Sequence, residues 1–316
     1  MSALGKIDFQ NLILEKDIER ARFRRGKSND NTLVPPGPDV VHDLERLYEE
    51  SLKIYERNKA EPDFSLNFDK IRFRVSIITE GVFVYRRMLD YVPGLQKCGI
   101  HPRMRELMLK IKSGMVLFMG EFSSGKTTAA SSFFVEHITQ NGGLGIGLED
   151  PSELPMAGDR GRGRIYQLSL SRTEIDQKAH DLVRANYDAL YYSELRGALM
   201  TYSAILSAEG GRLLVSTVHG PTIPQGLSRT VNLTSSLNTG GDIGAESVRR
   251  MFANSLKVVV FMKEFDAGGY GPSDYLIVDN DARAIIAKGD YAGLLNSIDL
   301  TNKRLLSGQP LPNFAD

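Results

Sequence analysis

The sequence predicts an α/β protein in two parts, a small N-terminal α/β unit and a larger C-terminal unit built on a parallel sheet. Three observations predict this fold. From about residue 100 onward, short apolar segments alternate with segments of helical periodicity. A glycine-rich loop over residues 120–127 joins one of these apolar segments to a helical one. The preceding 90 residues combine an amphipathic helix with a series of alternating strands.

The composition is that of a folded protein, with 41% hydrophobic and 25% charged residues among 316. Lys+Arg and Asp+Glu are 39 each, so the formal net charge is zero, which argues against binding nucleic acid through bulk positive charge. The single cysteine, Cys98, permits neither an internal disulfide nor a cysteine zinc site. The sequence shows no signal peptide and no apolar run near the roughly 18 residues of a membrane span. We therefore expect a cytoplasmic protein.

The N-terminal elements are predicted in chain order. Residues 25–39 contain three prolines among polar residues, which predicts a loop. Apolar residues at helical spacing predict an amphipathic helix over residues 40–59, and alternation predicts strands over residues 64–85. The predicted domain boundaries are residues 1–92 for the first domain, 93–103 for a linker, and 104–316 for a second domain with a C-terminal helical extension.

The C-terminal elements alternate between strand and helix, which is typical of a parallel sheet covered on both faces. The expected strands are residues 115–119, 144–148, 189–192, 212–218 and, less clearly, 275–278. The expected helices are residues 101–111, 127–140, 173–188, 199–209 and 247–257, with short helices after residue 278.

The glycine-rich loop, GEFSSGKT over residues 120–127, fits the phosphate-binding pattern G-x-x-x-x-G-K-[ST]. Glycines let the backbone curve so that successive N–H groups face phosphate oxygens, and the following helix presents its positive end. Lys126 is predicted to reach the β and γ phosphates, and the Thr127 hydroxyl to coordinate Mg²⁺. The predicted nucleotide-binding residues are Gly120, Ser123, Ser124, Gly125, Lys126, Thr127 and Thr128.

A further carboxylate is needed to hold Mg²⁺ or to orient the attacking water. Two candidates follow predicted strands: the pair Glu149-Asp150, and Glu194. The pattern alone leaves the choice open, because an acid that ends a strand is also typical of a helix cap or a solvated turn. A GTPase is disfavoured, since the sequence has no N-K-x-D segment for reading guanine.

Several ordered segments resemble those of the secretion and pilus ATPases. Residues 148–153 (LEDPSE) resemble their acidic "Asp box", residues 187–196 (YDALYYSELR) their Walker B segment, and residues 211–219 (GRLLVSTVH) their His box. Upstream, residues 63–66, 72–75 and 84–86 resemble the N-terminal domain of the pilus-retraction ATPases, and residues 247–257 resemble a helix that follows the His box. The resemblance covers about residues 60–262.

This resemblance implies a PAS-like N-terminal domain joined to a RecA-like P-loop ATPase domain, with ATP and Mg²⁺ as cofactors. It implies a homo-hexameric ring on the cytoplasmic face of an inner-membrane secretion, conjugation or pilus machine, with no direct binding of nucleic acid. It also implies roles for five residues. Glu153 is the general base or water-orienting acid, Glu194 the Walker B glutamate near Mg²⁺, and His219 a γ-phosphate sensor or subunit contact; Arg74 and Arg86 match arginines that approach the phosphates.

Departures from the family pattern keep alternatives open. Arg212 stands where the His box usually has an earlier histidine, and Gly197 where the Walker B segment usually has an acid. With the absence of the type II cysteine tetrad, these departures favour a divergent type IVB-secretion or conjugative-transfer member. The alternative function is a nucleotide-dependent regulatory or scaffold ring with weak hydrolysis. Three structural interpretations also remain open. His219 is then a core histidine, the upstream arginines form a solvated strand face, and the arginines of residues 160–164 belong to an exposed loop.

Overall fold

The computed structural model describes residues 2–24, 32–57, 63–182, 184–234, 244–265 and 269–315. The chain divides into two compact units. The first comprises Met1–Tyr91 with Pro151–Pro155, and the second comprises Val92–Asp150 with Met156–Asp316. Part of the predicted N-terminal loop (residues 25–31) and the end of the predicted first helix (residues 58–59) lie outside the described residues.

The first unit is a six-stranded antiparallel sheet that packs against one helix, α1 (Val41–Arg57). Apolar residues on alternate positions of the strands face α1, as the alternation over residues 64–85 predicts; Phe73, Val75 and Phe83 are fully buried. The strand order is β3-β2-β1-β6-β5-β4. The strands are β1 (Asn11–Glu15), β2 (Arg22–Arg24), β3 (Leu33–Val34), β4 (Asp63–Phe68), β5 (Ile71–Thr79) and β6 (Val82–Met88).

The second unit contains an eight-stranded sheet in the order β14-β13-β7-β12-β11-β8-β10-β9. Its six inner strands are parallel, and the two edge strands pair antiparallel, so the predicted parallel sheet is confirmed. The strands are β7 (Gly114–Gly120), β8 (Gly143–Glu149), β9 (Gly158–Arg160), β10 (Gly163–Ser169), β11 (Ala189–Tyr192), β12 (Leu213–His219), β13 (Leu256–Glu264) and β14 (Tyr270–Ile277).

Helices cover both faces of this sheet. On β7, Met115 and Leu117 face one buried apolar cluster while Val116 and Phe118 face the other, so every residue of the strand is buried. The helices are α2 (Pro102–Leu109), α3 (Lys126–Asn141), α4 (Arg172–Leu182), α5 (Ala198–Glu209), α6 (Ile223–Leu233), α7 (Ala245–Ser255), α8 (Asn280–Lys288) and α9 (Leu295–Ser307). None of the helices in the described ranges combines the length and the apolar character needed to cross a bilayer.

Some predicted elements have different bounds. Residues 93–103, predicted as a linker, lie in the second unit and bury Leu95, Cys98 and Ile100 in its core. The helix predicted over residues 247–257 ends at Ser255, because the β-branched run that follows forms β13 beside β7.

The arginine-rich segment also differs from its prediction. The loop expected at residues 160–164 is an antiparallel hairpin of β9 and β10, in which Arg160 pairs with Gly163. Arg164 bonds Asp159 and lies over the ring of Tyr166, with its Cζ 5.3 Å from the ring centroid. Two contacts with neighbouring side chains therefore order this arginine.

A buried histidine on α3 predicts how stability depends on pH. His137 is 6% exposed, and burial lowers its pKa to about 4. At pH values between about 4 and the ordinary pKa of about 6.5, this histidine binds a proton in the unfolded chain but not in the folded chain. We therefore expect the free energy of unfolding to fall as the pH drops from about 6.5 to about 4, by up to about 1.4 kcal/mol per pH unit from this group.

Urea unfolding of the His137→Gln variant measures this contribution. The variant should lose part of the difference in stability between pH 7 and pH 5, whereas His42→Gln should keep it, because the His42 side chain is 82% exposed. Equal pH dependence in the unsubstituted chain and His137→Gln would contradict the assignment.

Candidate nucleotide site

The loop between β7 and α3 encloses a buried lysine. Lys126 is only 5% exposed; its Nζ donates to the carbonyl oxygen of Glu121 and lies 3.4 Å from Ser124 Oγ. Ser124 Oγ in turn donates to the same carbonyl at 2.8 Å. The loop therefore holds an ammonium group in a low-dielectric setting, where it attracts anions more strongly than in water.

The glycines of the loop are required by its geometry. Gly120 has φ +148°, and a Cβ built on it would lie 2.2 Å from the carbonyl oxygen of Met262. Gly125, with φ +82°, is the N-cap of α3, and no side chain caps that helix end. The first N–H groups of α3 therefore have no capping side chain, an arrangement that suits phosphate oxygens.

The order of the strands brings the other predicted residues toward this loop. β12 lies between β7 and β11, and its last residue, His219, pairs in register with Gly120. Gly220 N donates to the carbonyl oxygen of Gly120 at 3.3 Å. Because the carboxyl ends of parallel strands meet at one sheet edge, the segment after β11, with Glu194, lies at the same edge.

Glu194 and His219, both predicted from the sequence, are in contact. His219 Nε2 lies 3.4 Å from Glu194 Oε2, and Arg196 Nη2 lies 2.7 Å from the same oxygen. Burial by itself raises the pKa of Glu194, but the hydrogen bonds and positive charges of His219 and Arg196 outweigh it and lower the pKa. The site therefore keeps an ionised, oriented carboxylate near the phosphate loop.

Glu149, a second carboxylate predicted at this edge, is fully buried. Glu149 ends β8 and accepts a hydrogen bond from Gln167 Nε2 on β10. Gln167 Oε1 accepts from the backbone N–H of Met156 at 3.0 Å. Glu149 is thus part of a hydrogen-bonded network between neighbouring strands.

Glu153 lies in the first unit, although it follows β8 in the chain. Its Oε1 accepts a hydrogen bond of 2.8 Å from Arg74 Nη1, and Arg74 also bonds Asp63 at 3.2 Å. Arg72 donates to the carbonyl oxygen and hydroxyl of Ser152, both at 3.0 Å. Two arginines of β5 therefore hold this segment against the first sheet.

Arg86 is exposed on β6 and pairs in register with Arg74 on β5, so the two arginines share one face of the first sheet. The structure thus brings Arg74 together with Arg86 and Glu153, and brings Glu194 together with His219. Sequence reasoning assigned no role to Arg196 or Gln167. Arg196 follows Glu194 by two residues, but no local pattern marks Gln167.

The donor set fits Mg²⁺-ATP. Lys126 and the open end of α3 can hold phosphates. The Thr127 hydroxyl and the Glu194 carboxylate are oxygen ligands of the kind that Mg²⁺ prefers. No cluster of three or more His, Cys, Asp or Glu side chains able to hold a metal ion exists among the described residues.

Fold and site together are typical of P-loop nucleotide-binding proteins. The sequence profile of the family described as "Type II/IV secretion system protein" matches residues 51–264, and the chain belongs to this family. The chain is 26% identical to the uncharacterized protein YggR of Escherichia coli K12 over 231 residues. This alignment covers 72% of the chain and 68% of YggR.

Two solved structures have similar folds. The pilus retraction motor PilT, solved with bound ADP, has a TM-score of 0.72 at 18% identity, covering 98% of this chain and 94% of PilT. The ATPase DotB of Legionella pneumophila has a TM-score of 0.67 at 16% identity, covering 95% of this chain and 84% of DotB. These matches confirm the predicted fold class, an N-terminal α/β domain followed by a RecA-like P-loop ATPase domain.

Proposed function

We propose that the protein is an ATP hydrolase that powers a bacterial secretion, conjugation or pilus machine. One observation carries the proposal: a buried lysine in a phosphate-type loop lies at the same sheet edge as a carboxylate held ionised by His219 and Arg196. The names of PilT, a pilus retraction motor, and DotB, an ATPase, support this choice within the family.

The proposed roles in the second unit follow from the donor set. The loop from Gly120 through Ser123, Ser124 and Gly125, with Lys126 and Thr128, binds the phosphates of ATP. Thr127 and Glu194 hold Mg²⁺ directly or through water, and the ion neutralises charge on the phosphates. His219 orients Glu194 and senses the γ-phosphate.

The proposed roles in the first unit concern charge at the γ-phosphate. Arg74 and Arg86 neutralise the charge that develops during hydrolysis, and Glu153 orients or deprotonates the attacking water. In the structure Arg74 is already paired with Glu153, so it must exchange that carboxylate for a phosphate oxygen. Loss of the γ-phosphate then reverses the exchange, which converts the state of the nucleotide into movement of the first unit.

The proposed assembly is a homo-hexameric ring, bound at the cytoplasmic face of an inner-membrane complex and without direct contact to nucleic acid. Closed rings form through heterologous contacts, in which each subunit uses two different surfaces. Light scattering of the purified protein with Mg²⁺-ATP would measure the mass of the particle.

A second candidate is a regulatory or scaffold ring that binds ATP and hydrolyses it weakly. The Arg74–Glu153 ion pair favours it, because it occupies the carboxylate that would have to contact the attacking water. The two residues that depart from the family pattern, Arg212 and Gly197, have structural roles in this chain. Arg212 bonds the carbonyl oxygen of Ala185 at 3.1 Å and lies over the ring of Tyr187, and Gly197 is the N-cap of α5.

Phosphate release and ATP binding by Glu153→Gln discriminate between the two candidates. For a motor, we expect turnover to fall about 100-fold or more while ATP affinity stays within a few-fold, because a general base contributes 10²–10⁴-fold. Glu80→Gln, an exposed acid in the turn between β5 and β6, is the matched control and should behave as the unsubstituted chain. Equal turnover in Glu153→Gln and the unsubstituted chain would remove Glu153 from the chemistry, and equally weak turnover in both would support the scaffold.

A further inference from the structure

Phe122 of the phosphate loop contacts the imidazole of His219. Its side chain is 82% exposed, an unusual situation for a phenylalanine. The centroids of the two rings are 4.0 Å apart, and their planes are inclined by 35°. The aromatic face therefore covers His219, while most of the Phe122 ring remains in solvent.

The loop presents Phe122 in a fixed place. Gly120, two residues before it, packs so closely on the carbonyl oxygen of Met262 that no Cβ fits. Ser123, the next residue, has φ +60°, a left-handed conformation that is uncommon for serine. Backbone geometry on both sides therefore constrains the part of the loop that carries Phe122.

His219 depends on such a neighbour for its orientation. Its Nε2 lies 3.4 Å from Glu194 Oε2, whereas its Nδ1 is buried and has no hydrogen-bond partner among the described residues. The imidazole is thus held by one polar contact on one edge. A ring packed on its face restricts the rotation that would take Nε2 away from the carboxylate.

We propose that Phe122 is a positioning residue for the hydrolysis proposed above. Its ring holds the His219 imidazole with Nε2 toward Glu194 and excludes water from that pair. Glu194 then keeps the orientation that binding of Mg²⁺ requires. The inference rests on the proposed function, and it adds a residue of the phosphate loop that acts through His219 and not on the phosphate.

Nuclear magnetic resonance of the nucleotide-free protein tests the stack independently of activity. A ring on the face of an imidazole shields the imidazole protons. The His219 ring resonances should therefore move downfield in Phe122→Leu and stay near their original positions in Phe122→Tyr. Tyr166→Leu is the control, because Tyr166 is an exposed aromatic residue on β10, outside the loop; it should leave the His219 resonances unchanged.

Steady-state kinetics test the positioning role. In Phe122→Leu we expect kcat to fall about three- to ten-fold, because this is the effect of losing one aromatic pair. The KM should stay within about two-fold of that of the unsubstituted chain. Phe122→Tyr, which keeps an aromatic ring, should have the kcat of the unsubstituted chain. A rise in KM with unchanged kcat would place Phe122 in ATP binding instead and overturn the proposal, as would failure of Phe122→Tyr to restore kcat.

Different results would overturn the positioning role of Phe122 and the proposed function. Unchanged His219 resonances in Phe122→Leu, with turnover intact in the unsubstituted chain, would overturn the positioning role alone. Absence of turnover in the unsubstituted chain would overturn the proposed function and the catalytic role of the stack together.

Discussion

Replacing Lys126 with alanine is expected to abolish measurable ATP binding. Lys126 is 5% exposed and its ammonium group is already held in the loop by the Glu121 carbonyl and Ser124, so binding requires little further ordering of the side chain. Charge-assisted hydrogen bonds contribute about 1.5–3 kcal/mol each, and we propose that Lys126 makes two, with the β and γ phosphates. We expect the Kd for ATP to rise at least about 100-fold.

Isothermal titration calorimetry measures this change. Lys110→Ala is the matched control, because Lys110 is exposed and pairs with Glu106 at 2.7 Å, outside the loop. Circular dichroism should show that both variants are folded. An unaltered Kd in folded Lys126→Ala would mean that nucleotide does not bind in this loop.

Replacing Glu194 with glutamine is expected to have the largest effect on turnover. Glutamine keeps the size of the side chain but removes the negative charge that His219 and Arg196 stabilise. It supplies a weaker Mg²⁺ ligand, so the ion neutralises the developing charge less well and the rate should fall by about 10²–10³-fold. ATP affinity should change little, because Lys126 and the end of α3 remain.

Single-turnover phosphate release separates these effects. Glu209→Gln is the control, because Glu209 is exposed at the end of α5 and has no part in the site. If Glu194→Gln retained the full single-turnover rate, the Glu194–His219 pair would have no part in the chemistry.

Local patterns predicted the elements that carry the phosphate loop. Each of these patterns is local in the sequence: the apolar run of β7, the glycines of the loop and the helical spacing of α3. The position of Lys126 in the phosphate loop could therefore be predicted from the sequence. The same reasoning misplaced the end of α7, because helical and strand patterns overlap where an apolar run is short.

Contacts between distant segments were less predictable. Glu194 and His219 are 25 residues apart, and only the family resemblance suggested that both belong to one site. Arg74 precedes its partner Glu153 by 79 residues, and nothing in either segment indicates the pairing. The Phe122–His219 contact likewise depends on the in-register pairing of β7 with β12, which no local pattern specifies.

The central claim is that the loop after β7 binds ATP and that Glu194 takes part in its hydrolysis. Continuous phosphate release by the purified, unsubstituted chain at saturating Mg²⁺-ATP tests it most directly. The claim predicts sustained release of many phosphates per chain, lost in Lys126→Ala and Glu194→Gln. Release no faster than that of these two variants would contradict it.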